Sequence, residues 1–199
     1  APLAEDVVEH FSLMKKDMNI FLKENAIDFD VLCPYCFKLP ASPHLAAKKE
    51  NVEIEKNKII DAYRLLEEKF ETVFVEGAGG ALVPYSDDYF ILDIVSELEM
   101  PVIVVSENKL GSINRALCTI EVLKVRGLKV LGIVFNQAAK DDSEIDNNKD
   151  ILDDNPKVIN RLSGVNVFGC ISNNDNADFV YNDHKDIFEK IYNEMKLRK

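Results

Sequence analysis

An α/β fold built around a parallel sheet is the class this sequence predicts, and three observations carry that prediction. Four short runs rich in Val and Ile, Thr72–Val75, Pro101–Ser106, Leu128–Phe135 and Asn166–Ile171, fit the strand template. Each run is apolar on both faces, as strands buried in a parallel sheet are, instead of alternating as one-sided antiparallel strands do. Segments with helical apolar stripes lie between them, and strand–helix–strand alternation is the pattern of crossover connections.

In chain order, Glu5–Met18 places Val7, Phe11, Met14 and Met18 on one helical face, and Glu53–Phe70 does the same with Ile59, Tyr63, Leu66 and Phe70. Helices are also predicted over Tyr89–Leu98 and Ser112–Arg126. The last predicted helix, Lys185–Lys196, carries Phe188, Ile191, Tyr192 and Met195 along one side. Asp141–Asn155 holds seven Asp or Glu and no aromatic residue, which reads as a solvated loop or weak helix. It lacks the ligand spacing and turning glycine of a calcium loop. No repeat, low-complexity tract or linker interrupts the 199 residues, and a single domain is expected over 1–199.

Composition narrows the function. Apolar residues make up 47% and charged residues 30%, the balance of a globular protein. No apolar run is long enough to span a bilayer, and no N-terminal segment has a secretory layout. Lys and Arg number 24 against 35 Asp and Glu, a net charge of −11. Such a surface repels nucleic acid and anionic lipid, so neither partner is expected. Four cysteines do not make a disulfide scaffold, and a reducing cytoplasm is the expected compartment. The chain opens Ala1-Pro2-Leu3 without an initiator Met, so a processed chain or a piece of a longer protein is expected.

Three segments stand out chemically. In Val73-Phe74-Val75-Glu76-Gly77-Ala78-Gly79-Gly80 an apolar strand ends in a carboxylate and a glycine-rich turn. The carboxyl edge of a parallel sheet is where α/β proteins place ligands. A carboxylate there can hold Mg²⁺, and glycines let backbone amides approach phosphate, although glycines also serve a plain tight turn. In Lys109-Leu110-Gly111-Ser112-Ile113-Asn114, Gly111 and Ser112 fall at a helix start, where free N–H groups favour an anion; simple capping by Ser112 is the alternative. Asn136 directly follows a strand and offers the donor and acceptor that suit a purine edge, or a local turn. Cys33-Pro34-Tyr35-Cys36 has half-zinc-site or redox spacing but no second close pair, and His10, His44 and His184 are scattered. His44 follows the rigid Pro40-Ala41-Ser42-Pro43 ahead of a predicted helix.

Taken in order, these motifs resemble the dethiobiotin synthetase family. Cys33-Pro34-Tyr35 through Ala41-Ser42-Pro43-His44 is similar to its substrate-side loop, and Glu76–Gly80 with Pro84 to its signature strand end. Leu110-Gly111-Ser112-Ile113-Asn114 is similar to its third motif, and Gly132–Asn136 to the strand that ends in an adenine-contacting Asn. The resemblance runs from about Glu5 to Asn136 and weakens beyond. It implies a P-loop NTPase-like three-layer fold with helices on both sheet faces, a homodimer, and ATP with Mg²⁺ as cofactors. The implied substrates are 7,8-diaminononanoate and CO₂ or bicarbonate. Asp6 and Glu76 would be the metal ligands, with Gly77, Ala78 and Gly79 along the nucleotide and Asn136 and Gln137 at the adenine. A second nucleotide-edge loop would fall at Ser172, Asn173 and Asn174, although these depart from the family's Pro-containing pattern. Ser42, Pro84, Leu110, Gly111 and Asn114 would bind the substrate, the last three from the neighbouring subunit.

The chain also departs from the family. None of its eight glycines is followed by Lys, so it holds no Walker A loop of G-x-x-x-x-G-K-T type, and the family's catalytic Lys is absent with it. The resemblance therefore implies that the family's first strands and Walker A loop, a few dozen residues, are missing from this sequence. The 199 residues alone are expected to be aggregation-prone or inactive as an ATPase. The alternatives are a non-catalytic paralogue that keeps the substrate pocket and dimer surface, or another P-loop ligase or ATPase.

Overall fold

The computed structural model describes residues 27–137, 149–172 and 177–196. The predicted helix Glu5–Met18 lies outside them. The chain divides into two compact units, one up to Ile94 and one from Val95 onward.

In the first unit the helices are α1 (Phe29–Leu32), α2 (Pro43–Glu50), α3 (Lys56–Lys69) and the start of α4 (Ile91–Glu97). Helix α2 begins where Pro43, with φ already helical and no N–H to lose, sits in the first turn. It ends at Asn51, which adopts a left-handed conformation (φ 53°). The segment before α2 is folded onto its last residue: the Glu50 carboxylate accepts the amides of Lys38 (2.7 Å) and Leu39 (3.3 Å). On α3 the predicted stripe of Ile59, Tyr63, Leu66 and Phe70 is only half-buried, and the fully buried residues are Ile60 and Ala62.

The run Thr72–Val75 forms no strand, contrary to its pattern. No described backbone pairs with it, and Phe74 is 71% and Val75 46% exposed. A two-faced apolar strand is stable only between neighbours that accept its hydrogen bonds and cover its faces, and without them the segment is irregular.

The second unit holds a parallel sheet in the order β1 (Val102–Glu107), β2 (Val130–Gln137), β3 (Val167–Ser172). The crossovers run through α5 (Ser112–Val125) and α6 (Lys149–Ser163), and α7 (Ala177–Asp183) and α8 (Lys185–Lys196) follow β3. Both faces of β2 are buried. Val134 joins Leu131, Phe168, Ile187 and Ile191 in a core that seats α8 on the sheet. Ile133 and Phe135 are 0% exposed, and they point the other way because side chains alternate along a strand. Gly132 and Gly169 permit this packing: a Cβ would come within 2.3 Å of the Phe168 ring and 2.4 Å of Ile187 Cδ1, respectively. Helix α5 buries Ser112, Ala116, Ile120 and Leu123 and packs on β1, β2 and α6.

Two expectations shift by small steps. The seam of α8 is Ile187, Ile191 and Met195, while Tyr192 is 46% exposed and Phe188 packs on Tyr181 at 5.5 Å. The acidic block becomes helix from Lys149 onward, since α6 claims its last residues. At the described sheet's edge, β1 leaves Val105 68% exposed, so this strand is not covered on both faces as its apolar pattern predicted.

Candidate functional site

In the first unit the glycine-rich segment is built around glycines that cannot be replaced without movement. Gly79 has φ +86°, and a Cβ there would lie 2.9 Å from Val83 Cγ2. At Gly77 a Cβ would come 3.1 Å from Ile91 Cγ1. Ala78 donates its amide to the Tyr85 hydroxyl at 3.1 Å, so this N–H is occupied by a side chain of the same loop. Burial raises the Tyr85 phenol above its ordinary pKa, against the lowering effect of that amide bond. Glu76 is exposed, and among the described residues its carboxylate makes no hydrogen bond or ion pair. An unengaged carboxylate is a hard oxygen donor with the chemistry Mg²⁺ prefers, and it fits the ion as one ligand beside retained waters. Asp6, the other residue expected at a metal, lies outside the described residues. Among the described residues no three His, Cys, Asp or Glu cluster as a ready-made metal site.

The structure brings the two substrate-side segments of this unit together. Pro84 pairs with Phe90 in a one-residue antiparallel bridge, and its carbonyl accepts the His44 amide at 3.4 Å. Ser42, immediately before α2, accepts the amides of Leu45 and Ala46 through its carbonyl, both at 3.0 Å. Its hydroxyl makes no capping bond, which leaves it available beside the Pro84 turn. His44 Nδ1 is buried without a hydrogen-bond partner among the described residues. The Cys33 thiol donates to the Tyr35 carbonyl at 3.3 Å, and burial, then the neighbouring Cys36, pushes its pKa up. A raised thiol is a poor nucleophile and metal ligand.

In the second unit the carboxyl ends of the strands gather the other motif residues. Parallel register sets Glu107 opposite Asn136, Asn136 opposite Ile171, and Gln137 opposite Ser172. The Asn136 side chain is exposed, with no hydrogen-bond partner among the described residues. Asn173 and Asn174 lie outside them. Gly111, at φ +86°, turns the chain from β1 into α5, and Leu110 is 79% exposed on that turn. Ser112 does not cap α5 from outside, as its sequence position allowed. It is 0% exposed within the first turn, where its hydroxyl donates to the Glu107 carbonyl (2.6 Å) and accepts the Lys109 amide (3.0 Å). Asn114 is exposed one turn on and accepts the Cys118 thiol at 3.7 Å.

Three residues at this edge were not legible as site residues. Glu107 ends β1 one position beyond the predicted strand, with its carboxylate 2.6 Å from Lys109 Nζ and 3.7 Å from the Arg115 guanidinium. The hydrogen bond from Lys109 holds its carboxyl below the usual range. The signal that could have found it is the one used for Glu76, a carboxylate at an apolar strand's end. Asn108 and Asn155 are buried, at 6% and 3% exposure, and bond to each other at 2.9 Å across 47 residues of sequence. No local pattern marks such a pair.

A family model described as an AAA domain matches residues 18–179. The ATP-dependent dethiobiotin synthetase BioD 2 of Haemophilus influenzae is 40% identical over 134 residues, which cover 67% of this chain and 68% of that protein. BioD 2 of Pasteurella multocida is 40% identical over 143 residues, 72% of this chain and 65% of the relative. BioD of Bacillus cereus (strain G9842) is 36% identical over 140 residues, 70% of this chain and 55% of the relative. The chain thus spans between about half and two thirds of the length of these relatives. With Gly111, Asn114, Asn136 and Gln137 set at the carboxyl edge of the parallel sheet and this degree of identity, the chain belongs to the ATP-dependent dethiobiotin synthetase family.

Proposed function

We propose that the full-length protein carrying this chain converts 7,8-diaminononanoate, CO₂ or bicarbonate and ATP to dethiobiotin, ADP and phosphate in biotin synthesis. The observation that carries this reading is the kinship with proteins named ATP-dependent dethiobiotin synthetase, over the segments that hold the candidate residues. In the reaction one amine adds to CO₂ to form a carbamate, whose oxygen attacks the γ-phosphorus and releases ADP. The second amine then attacks the carbamoyl carbon, and phosphate leaves as the ring closes. Such chemistry depends on positioning and on neutralising charge, more than on protein nucleophiles.

The candidate residues within the described structure take the following roles. Glu76, unengaged and exposed, holds Mg²⁺; when bound, the ion neutralises charge on the phosphates. Gly77, Ala78 and Gly79 line the nucleotide, Ala78 with its methyl group, its amide being taken by the Tyr85 hydroxyl. Asn136 reads the adenine edge with both halves of its amide, and Gln137 and Ser172 flank it in register. Ser42 and Pro84 contact the diamine. Leu110, Gly111 and Asn114 offer the substrate carboxylate the start of a 14-residue helix, whose N–H groups and dipole favour an anion. The 79% exposure of Leu110 supports the reading that this turn serves a neighbouring subunit of a homodimer. The net charge of −11 favours small-molecule partners over nucleic acid or anionic lipid, and the cysteine usage favours a reducing cytoplasm.

The test is a phosphate-release assay on the full-length protein with ATP, Mg²⁺, bicarbonate and the diamine. Turnover that requires the diamine is expected, and Glu76→Gln is expected to lower kcat on the order of a hundredfold by removing a charge at the metal. Equal turnover in wild type and Glu76→Gln would remove the metal role; ATP hydrolysis indifferent to the diamine would remove the substrate.

A further inference from the structure

Asn108 stands at the junction of the substrate-side turn and the nucleotide-edge strand. Its backbone N–H donates to the Asn136 carbonyl at 3.1 Å. Its side-chain Nδ2 donates to the Leu152 carbonyl on α6 at 3.0 Å, and its Oδ1 accepts Asn155 Nδ2 at 2.9 Å. Asn155 Nδ2 also donates to the Lys109 carbonyl at 3.1 Å. The amide orientation follows from these partners, since a flipped Asn155 would set its oxygen against two acceptors.

The bond to Leu152 has a specific cause. Residue 156, four positions on, is a proline inside the helix, so the N–H that would serve the Leu152 carbonyl does not exist. Asn108 supplies the missing donor from outside the helix. A carbonyl withdrawn from water and left without a donor is destabilising, so α6 is held to Asn108 at this point. The same side chain grips Asn155 and, through it, Lys109, which leads directly into Leu110 and Gly111.

We infer that Asn108 is a positioning residue for the diamine: with Asn155 it latches the Lys109–Gly111 turn to helix α6, at a fixed distance from Asn136. A buried polar pair is less stabilising than apolar packing but tolerates one geometry only, which suits a turn that must meet a carboxylate. Neither asparagine touches substrate. The inference rests on the proposed function, in which this turn binds the diamine.

Asn108→Leu in the full-length protein separates positioning from stability when combined with Pro156→Ala. Alone, Asn108→Leu removes the Asn108–Asn155 bond, leaving the turn tied to α6 only through Asn155 and the Lys109 carbonyl, and orphans the Leu152 carbonyl, so the melting temperature falls. Pro156→Ala restores the helical N–H that serves Leu152. The double variant should recover the melting temperature yet keep a KM for the diamine raised about five- to tenfold, the equivalent of one lost hydrogen bond. The KM for ATP and kcat should stay within about twofold, because the backbone bond to Asn136 survives. Pro156→Ala by itself should leave every constant within about twofold. Asn155→Leu, which frees Lys109 but spares the Leu152 bond, should raise the diamine KM alike. A diamine KM that is unchanged, or that recovers together with the melting temperature, would show a merely structural pair and overturn the inference. A wild-type protein without diamine-dependent turnover would instead overturn the proposed function, and the inference with it.

Discussion

Gly79 and Gly111 share φ +86° but stand in different space. A Cβ at Gly79 meets Val83 Cγ2 at 2.9 Å, while at Gly111 the nearest atom is Arg115 Nη1 at 3.8 Å, the end of a flexible chain. Alanine at either position carries the left-handed penalty of about 1–2 kcal/mol. Gly79→Ala adds a contact that Val83 must move to relieve. Thermal unfolding is therefore predicted to show a larger loss for Gly79→Ala than for Gly111→Ala; equal losses would contradict the close packing at Gly79. At this scale the sequence was informative where chemistry sits on local signals. Glu76 announces itself as a carboxylate before glycines, and Asn136 as an amide after an apolar run. Asn108 and Asn155 gave no such sign, because their burial depends on α6 crossing the β1–α5 turn and on a proline orphaning a carbonyl 44 residues from its donor.

Element boundaries were legible wherever hydrophobic period and punctuation agree. The predicted Lys185–Lys196 is the observed α8, Ser112–Arg126 differs from α5 by one residue at its end, and Asn166–Ile171 is shifted from β3 by one residue at each end. Agreement failed where an element depends on neighbours. Thr72–Val75 has a strand's composition but no described partner strand, and α8 turns its seam one residue from the aromatic stripe because Ile187 packs under Gly169. The 85–89 turn is tied to the segment before α3 by Tyr89, whose hydroxyl donates to the Ile54 carbonyl at 2.8 Å. Burial, with Tyr35, Tyr85 and Glu53 nearby, pushes the Tyr89 phenol up to about 12 from 10.0. Between those values the unfolded chain has released a proton that the folded chain retains, so stability present below pH 10 is lost as pH rises towards 12. Tyr89→Phe is predicted to flatten this alkaline loss while lowering stability at neutral pH by about 1 kcal/mol. Urea midpoints measured from pH 8 to 12 check it, and an unaltered alkaline slope in the variant would contradict the assignment.

For the whole molecule, the parallel order of β1, β2 and β3 in the second unit places their carboxyl ends together, which is why the turn after β1 and the end of β2, distant in sequence, become neighbours. The fold is of the α/β P-loop NTPase type, and the chain matches its family along 18–179. No glycine in the chain is followed by Lys, the pair by which a Walker A loop cradles phosphates. The 199 residues by themselves are accordingly predicted to hydrolyse ATP no faster than a protein-free control, and turnover by them would contradict the reliance on such a loop. The central claim concerns the full-length protein and is tested most directly by its product. With ¹³C-bicarbonate, ATP, Mg²⁺ and 7,8-diaminononanoate, mass spectrometry should find a ureido ring carrying one labelled carbon, formed in step with one phosphate released. Phosphate released without a labelled ring, or no reaction of the diamine at all, would contradict the account.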